Sequence, residues 1–288
     1  MDAPPAHTPH AAPLAATAAR VAVVIPAYQE AATIGDIVRR ARAALPGVPV
    51  IVVDDGSCDG TAALAEAAGA SEVLRLAPNQ GKGAALRLGM ARALALGAGL
   101  VATLDADGQH RPEDLPRLVA VAQARPGCLV IGSRRAAARA GGQPPARRRA
   151  NRVADFWISW AAGQAIADSQ CGFRVYPAAA LAGLDRYARR AGRRFAFESA
   201  ILIDAARAGC RVVAVDVPAL YDPALLRRRS HFRPVADIAR IVMMVAGKLL
   251  ARGLYPAGLL RSLAEARRER LRRCRGPGQE GEGDPGTR

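Results

Sequence analysis

Apolar residues follow two different periods along this chain. Residues 21–25 (VAVVI), 50–53 (VIVV), 100–104 (LVATL) and 128–131 (CLVI) are short, continuous apolar runs, the pattern of strands buried on both faces. Further strand-like runs fall at 72–76 and 212–217. The segments between them are Ala-rich and helical in spacing; over 33–44, Ile34, Ile37, Val38 and Ala41 share one face. Pro112 stands where a helix begins, with Glu113 and Asp114 in its first turn, as the helix dipole favours. Strand followed by helix, repeated, predicts an α/β fold. The sheet is open and mostly parallel, flanked by helices, in one unit through about residue 218.

The strands end in polar clusters. PAYQE (26–30) follows the first run, DDGSCDGT (54–61) the second, DADGQH (105–110) the fourth, and GSR (132–134) the run at 128–131. In such a sheet ligands bind beyond the carboxyl ends of the strands, so topology draws these clusters to one rim. Asp105 and Asp107, two residues apart, project from one face if the strand continues through them. With Gln109 they form an oxygen-donor set suited to a hard divalent cation, Mg²⁺ or Mn²⁺; the alternative is a polar turn closing a strand. NQGKG (79–83) places Lys82 among glycines at a helix start, where backbone N–H groups and an ammonium both favour a diphosphate.

Composition changes this picture little. The 288 residues carry a formal charge of +16, and Lys occurs only at 82 and 248, so the excess is arginine. The abundance of Ala, Arg, Gly and Pro reads as a compositional bias, and nucleic-acid binding does not follow from the charge. Arginine is nevertheless dense over 134–152 and from 227 onward, which suits phosphates or an anionic membrane. Five cysteines without a C-x-x-C pair read as free thiols in a reducing compartment. Residues 1–19 lack the pattern of a signal peptide. No run approaches the roughly 20 apolar residues of a membrane span. The expectation is a soluble or peripheral cytoplasmic protein.

Taken as a set, PAYQE, DDGSCDGT, NQGKGAAL, DADGQH and GSR resemble the family 2 glycosyltransferases with the GT-A fold. Their order is most similar to the dolichyl- or polyprenyl-phosphate hexose synthase branch, over roughly residues 21–218. The resemblance implies transfer of a sugar from a nucleotide-diphosphate donor. Pro26, Tyr28 and Glu30 would line the base and ribose pocket. Asp54 would accept from base or ribose, and Asp55 with Ser57 would support the turn; an N-cap is the alternative for Asp54 and Asp55. Lys82, Asp105 and Ala106 would contact the donor, and Asp105, Asp107 and Gln109 would hold the metal. DSQCGFR (168–174) resembles a family segment beside the donor phosphates and the acceptor. Asp168, Glu198 and Arg134 become candidate catalytic groups, although Glu198 also reads as a helix-start carboxylate. Ser133, Arg134, Arg174, Arg229 and His231 become candidates for holding acceptor or phosphate; for His231 a surface loop is the alternative.

The remaining segments are read for shape. Residues 136–145 are a candidate lid or acceptor loop. Phe156, Trp157 and Trp160 sit on one helix, either as core or as an apolar surface for a lipid acceptor or membrane. Residues 238–260 suggest an amphipathic helix and 262–275 a basic helical tail. The expected organisation is a disordered tail (1–19), a GT-A domain (20–222), a basic amphipathic extension (223–275) and a disordered tail (276–288). The expected function is an inverting, metal-dependent transfer of hexose to a lipid-linked acceptor, with peripheral contact to the inner face of an anionic membrane. The alternatives are transfer to a hydroxyl in envelope polysaccharide or glycolipid synthesis, where Asp168 or Glu198 would act as base, a sugar-1-phosphate nucleotidyltransferase, and a non-catalytic nucleotide or nucleic-acid module. The residues leave the sugar, the nucleotide, the choice of Mg²⁺ or Mn²⁺ and the oligomeric state open.

Overall fold

A computed structural model describes residues 20–137, 145–187, 196–218 and 234–275. The continuous apolar runs form strands whose residues are almost wholly buried: β1 (Val21–Ala27), β2 (Val50–Asp54), β4 (Leu100–Thr103) and β5 (Leu129–Ser133). β3 (Glu72–Arg75) and β7 (Val212–Asp216) are more open, as edge strands are. The helices are α1 (Ile34–Ala44), α2 (Thr61–Ala67), α3 (Lys82–Ala95), α4 (Leu115–Ala124), α5 (Pro145–Ala162), α6 (Ala196–Arg207), α7 (Pro234–Leu250) and α8 (Pro256–Arg275). Side chains such as Ile25, Ile51, Leu104 and Phe173 are fully buried, each contributing about 1.5–3 kcal/mol by removal from water.

The seven strands lie in the order β3-β2-β1-β4-β6-β5-β7. All pairings are parallel except those of β6 (Arg174–Pro177), which runs against both β4 and β5. The apolar pattern does not reveal β6, because it has four residues, begins with arginine and ends with proline. α3 lies unusually close to the sheet at Gly89, where a Cβ would fall 2.4 Å from Val24 and 2.9 Å from Val53.

The expectation of one amphipathic helix over 238–260 needs correction. The chain forms two helices, separated by a turn in which Gly253, Leu254 and Tyr255 all have positive φ before Pro256. α7 carries a broad apolar face, along which Ile238, Val242, Val245 and Leu249 lie in phase; Val245 and Leu249 are buried against the body, Ile238 and Val242 are exposed, and Arg240 stands on the opposite side. Several contacts seat the extension. Lys248 pairs with Asp204 of α6, Arg207 donates to the carbonyls of Ala161 and Lys248, and Trp160 Nε1 donates to Tyr255 O at 3.2 Å. No helix among the described residues is long and apolar enough to cross a membrane.

Candidate active site

The clusters after β1, β2, β4 and β5 meet at one rim, and specific bonds tie them together. Asp55, at the end of β2, is buried and accepts from the N–H groups of Gln80 and Gly81, both at 2.7 Å, and from Asn79 Nδ2 at 3.0 Å. It therefore shapes the loop that delivers Lys82 to the first position of α3. Asp54 is also buried and accepts from Ser57 N at 3.0 Å, with Arg75 at 3.9 Å. Ser57 Oγ accepts from Gln29 N and Thr61 Oγ1 from Glu30 N, both at 2.9 Å. Thr33 donates to Ala106 O at 2.7 Å, which joins the Glu30 turn to the Asp-x-Asp turn. Pro26 is buried within β1, and Tyr28 and Glu30 are half-buried beside it.

Lys82 lies between two carboxylates. Its Nζ is 2.7 Å from Asp105 Oδ1 and 3.0 Å from Glu198 Oε2. Burial opposes the ammonium, but Asp105 and then Glu198 overcome it and hold the group charged above the usual lysine range. Burial would likewise raise Asp105, yet Lys82 and then His110 hold its carboxyl below the usual range. Asp107 behaves oppositely: burial, and then the charge of Asp105, push it up. Its Oδ1 accepts from Gln109 N at 3.0 Å. Gly172 completes this corner, because a Cβ there would lie 2.7 and 2.8 Å from the Asp105 oxygens and 2.9 Å from Lys82 Nζ.

Arg134 and Asp168 form a second ion pair. Asp168 Oδ2 accepts from Arg134 Nε at 2.9 Å and from its backbone N–H at 2.8 Å, while Oδ1 accepts from Nη2 at 2.8 Å. Three donors outweigh the burial that would raise this carboxyl and keep it below the usual range. The pair holds Asp168 at φ +51°, a left-handed backbone that a non-glycine residue adopts at some cost. The next residue, Ser169, donates its N–H to Asp155 Oδ1 of α5 at 2.7 Å, and Asp155 Oδ2 accepts from Arg135 at 2.6 Å.

Arg174 is placed differently from the phosphate contact anticipated for it. It is 1% exposed, and its guanidinium donates to the carbonyls of Cys171, Ser169 and Glu198 and to Tyr176 Oη. From β6 it braces the segment 169–171 against the start of α6. Ser133 is buried, its Oγ accepting from Arg135 N at 3.3 Å. Arg229 and His231 lie outside the described residues, as do most of the 136–145 loop and both chain tails.

His110 and Asp155 did not stand out in the sequence. His110 is buried against Phe173, with ring centroids 5.3 Å apart, and its Nε2 is 3.6 Å from Cys171 Sγ. Burial pushes the imidazole down to about 4 and the thiol up to about 12, so both are neutral at pH 7. His110 Nδ1 has no hydrogen-bond partner among the described residues. Asp155 had a signal: it falls in phase with the inward-facing Ile158 and Ala162, where a carboxylate requires a partner.

The sheet, its flanking helices and the rim are those of the GT-A glycosyltransferases. Structures of glucosyl-3-phosphoglycerate synthase from Mycobacterium tuberculosis superpose on this fold. One, with Mn²⁺, UDP-glucose and phosphoglyceric acid, has TM-score 0.56 at 24% identity, covering 81% of this chain and 79% of that one. Another, with Mg²⁺ and UDP, has TM-score 0.55 at 23% identity, covering 81% and 79%. The profile of glycosyl transferase family 2 matches residues 22–185; the chain belongs to that family and is a glycosyltransferase. It is 33% identical to an undecaprenyl-phosphate mannosyltransferase of Micrococcus luteus over 69% of this chain and 82% of the relative. It is 35% identical to a polyprenol monophosphomannose synthase of Mycolicibacterium smegmatis over 58% and 64%. An undecaprenyl-phosphate 4-deoxy-4-formamido-L-arabinose transferase of Serratia proteamaculans matches at 35% over 54% of this chain and 48% of its own length. The chain thus spans most of the first relative but about two thirds and half of the others.

Proposed function

We propose that the protein is an inverting hexosyltransferase that moves a sugar from a nucleotide diphosphate to a polyprenyl phosphate, with Mg²⁺ or Mn²⁺ at Asp105 and Asp107. The observation that carries the acceptor is the state of the two candidate bases. Asp168 is saturated by Arg134, and Glu198 is paired with Lys82. A hydroxyl acceptor needs a carboxylate free to take its proton. A phosphate acceptor arrives ionised and needs cations instead, which Arg134 and Arg135 supply. The names of the relatives point the same way.

The donor set fits a cation. Two carboxylates crowd together at the end of β4, and one of them is disfavoured as an anion. Among the described residues no cluster of three or more His, Cys, Asp or Glu side chains could hold a metal unaided. A hard ion held by Asp105 and Asp107 would be completed by Gln109, diphosphate oxygens and water. When bound, it would neutralise charge on the departing diphosphate. Pro26, Tyr28, Glu30 and Asp54 receive the nucleoside, and Ala106 approaches the donor from the Asp-x-Asp turn. Lys82 moves its ammonium from Asp105 toward the diphosphate and keeps Glu198 as its partner. Ser133 and Arg134 orient the acceptor, whose phosphate oxygen attacks C1 from the face opposite the diphosphate. The C1–O bond to the nucleotide breaks, and the configuration inverts.

Residues 20–222 form the catalytic unit in this reading. The extension over 223–275 meets an anionic membrane from the cytoplasmic side. The exposed apolar face of α7 and the arginines of α8 support that contact. The deciding experiment is mass spectrometry of products from a panel of nucleotide sugars, with undecaprenyl phosphate or hydroxyl acceptors in parallel. A glycosyl phospholipid formed only with Mg²⁺ or Mn²⁺ is expected; transfer solely to hydroxyl acceptors would overturn the reading.

A further inference from the structure

Two ion pairs cross the gap between the end of β5 and the turn at 168–171. Arg134 pairs with Asp168, and Arg135, the next residue, pairs with Asp155 of α5 at 2.6 Å. Asp155 is 5% exposed, and its other oxygen accepts from Ser169 N–H at 2.7 Å. Two consecutive arginines are thus tied to two consecutive residues of the turn, the second through the Asp155 carboxylate. The turn is gripped from its other side by Arg174, whose guanidinium donates to Ser169 O and Cys171 O, both at 2.7 Å. Within it, Cys171 N–H donates to Asp168 O at 3.0 Å. Both backbone polar groups of Ser169 are therefore taken by buried charged side chains. Its neighbour Asp168 stands at φ +51°, and such a backbone persists only where its surroundings over-determine it.

A buried carboxylate loses its hydration, and an apolar side chain of similar size would pack there at lower cost. An apolar side chain could not, however, accept from a peptide N–H and a guanidinium at once. We propose that Asp155 is a positioning residue for the transfer. Its Oδ1 fixes the turn that aims the Arg134–Asp168 pair, and its Oδ2 fixes the guanidinium of Arg135; it touches no reacting group itself. The two oxygens therefore have separable consequences: Oδ1 governs turnover, and Oδ2 governs how tightly the acceptor is held. The inference rests on the acceptor reading above, in which both arginines face the phosphate, and adds what holds them there.

Two substitutions in the full-length protein separate the oxygens. Asp155→Asn keeps an oxygen for Ser169 N–H and loses the ion pair with Arg135; Asp155→Ala loses both. Turnover is measured with undecaprenyl phosphate and the nucleotide sugar found active in the product panel, and the Ser169 amide is followed by hydrogen–deuterium exchange. Asp155→Asn is expected to leave kcat and amide protection nearly unchanged and to raise the acceptor KM about tenfold. Asp155→Ala is expected to lower kcat about 30- to 100-fold, as a displaced reacting geometry does. Its Ser169 amide should exchange at least about tenfold faster. Affinity for a nucleoside diphosphate with Mn²⁺ should be unchanged in both. Equal losses of kcat in the two variants, wild-type kcat in Asp155→Ala, or an unchanged acceptor KM in Asp155→Asn would each overturn the proposal. Should Asp155→Ala fail to fold, Asp155→Asn still decides, because a raised KM beside unchanged kcat and nucleotide affinity is not what lost stability produces. If transfer goes only to hydroxyl acceptors, the acceptor reading fails, while the kcat difference between the two variants, measured with that acceptor, still tests the hold on the turn.

Discussion

Lys82→Met should move two affinities in opposite directions. Methionine keeps the length and apolar stem of the side chain and removes only its charge. In the resting site the ammonium lies 2.7 Å from Asp105 and 3.0 Å from Glu198, so it engages one of the two carboxylates of the proposed metal site. A charge-assisted hydrogen bond contributes about 1.5–3 kcal/mol. The Lys82 and Asp105 side chains are 18% and 23% exposed, so the lower end applies. Loss of the ammonium should weaken a nucleoside diphosphate at saturating Mn²⁺ about tenfold. Binding of Mn²⁺ alone should tighten by a similar factor, since Asp105 no longer has a competing partner. Titration calorimetry with the diphosphate and electron paramagnetic resonance of free Mn²⁺ measure the two affinities separately. In the wild type each ligand should favour the other, because the diphosphate draws the ammonium away from Asp105; by linkage the coupling is reciprocal. In the variant this coupling should largely vanish. Unchanged Mn²⁺ affinity in the absence of nucleotide, or both affinities falling together, would refute the argument.

Asp107→Asn should abolish most metal binding and turnover, while metal-free melting is unchanged or raised because a carboxylate crowded by Asp105 is gone; calorimetry and a melting curve check both signs. Gly172→Ala should weaken Mn²⁺ and nucleotide together, about tenfold or more, since the new methyl displaces Asp105 and Lys82; isothermal titration reads this, and wild-type affinity would show that the corner yields freely. The Arg134–Asp168 pair predicts a pH dependence. The folded-state pKa of Asp168 is depressed, so its stabilisation is fully present above the ordinary carboxylate value of about 3.9 and is lost as pH falls through the folded value. Urea unfolding between pH 6 and 3 should show stability falling at the acid end, with a smaller fall in Arg134→Gln.

Much of the fold was legible because β1, β2, β4 and β5 are buried on both faces and so read as unbroken apolar runs. The rim followed from topology, since a parallel strand must hand its polar turn to the same edge as its neighbours. β6 was hidden because its first residue is a buried arginine. The feature that makes Arg174 acceptable there, three backbone carbonyls and a tyrosine hydroxyl converging on one guanidinium, exists only after folding. The pairings Lys82–Glu198 and Arg135–Asp155 were illegible for a related reason. They join positions 116 and 20 residues apart through tertiary packing, which neither spacing nor composition encodes. The apolar face of α7 was legible, whereas the turn that separates it from α8 was not, because the positive φ of Gly253, Leu254 and Tyr255 leaves no mark in the apolar spacing.

The direction of β6 divides the molecule into a side that works and a side that can be changed. A strand in that position running with its neighbours would open from the far edge of the sheet, about 13 Å away for four residues, and would leave residues 168–172 remote from Arg134. Reversed, it lets the whole amino-terminal edge of the parallel strands serve only to turn the chain. At Gly47, Gly97, Gly127 and Gly209, each just ahead of β2, β4, β5 or β7, an added Cβ would meet nothing within 4 Å. Those four turns are where extra sequence, a fluorescent label or a fused domain can be accommodated with the chemistry left untouched.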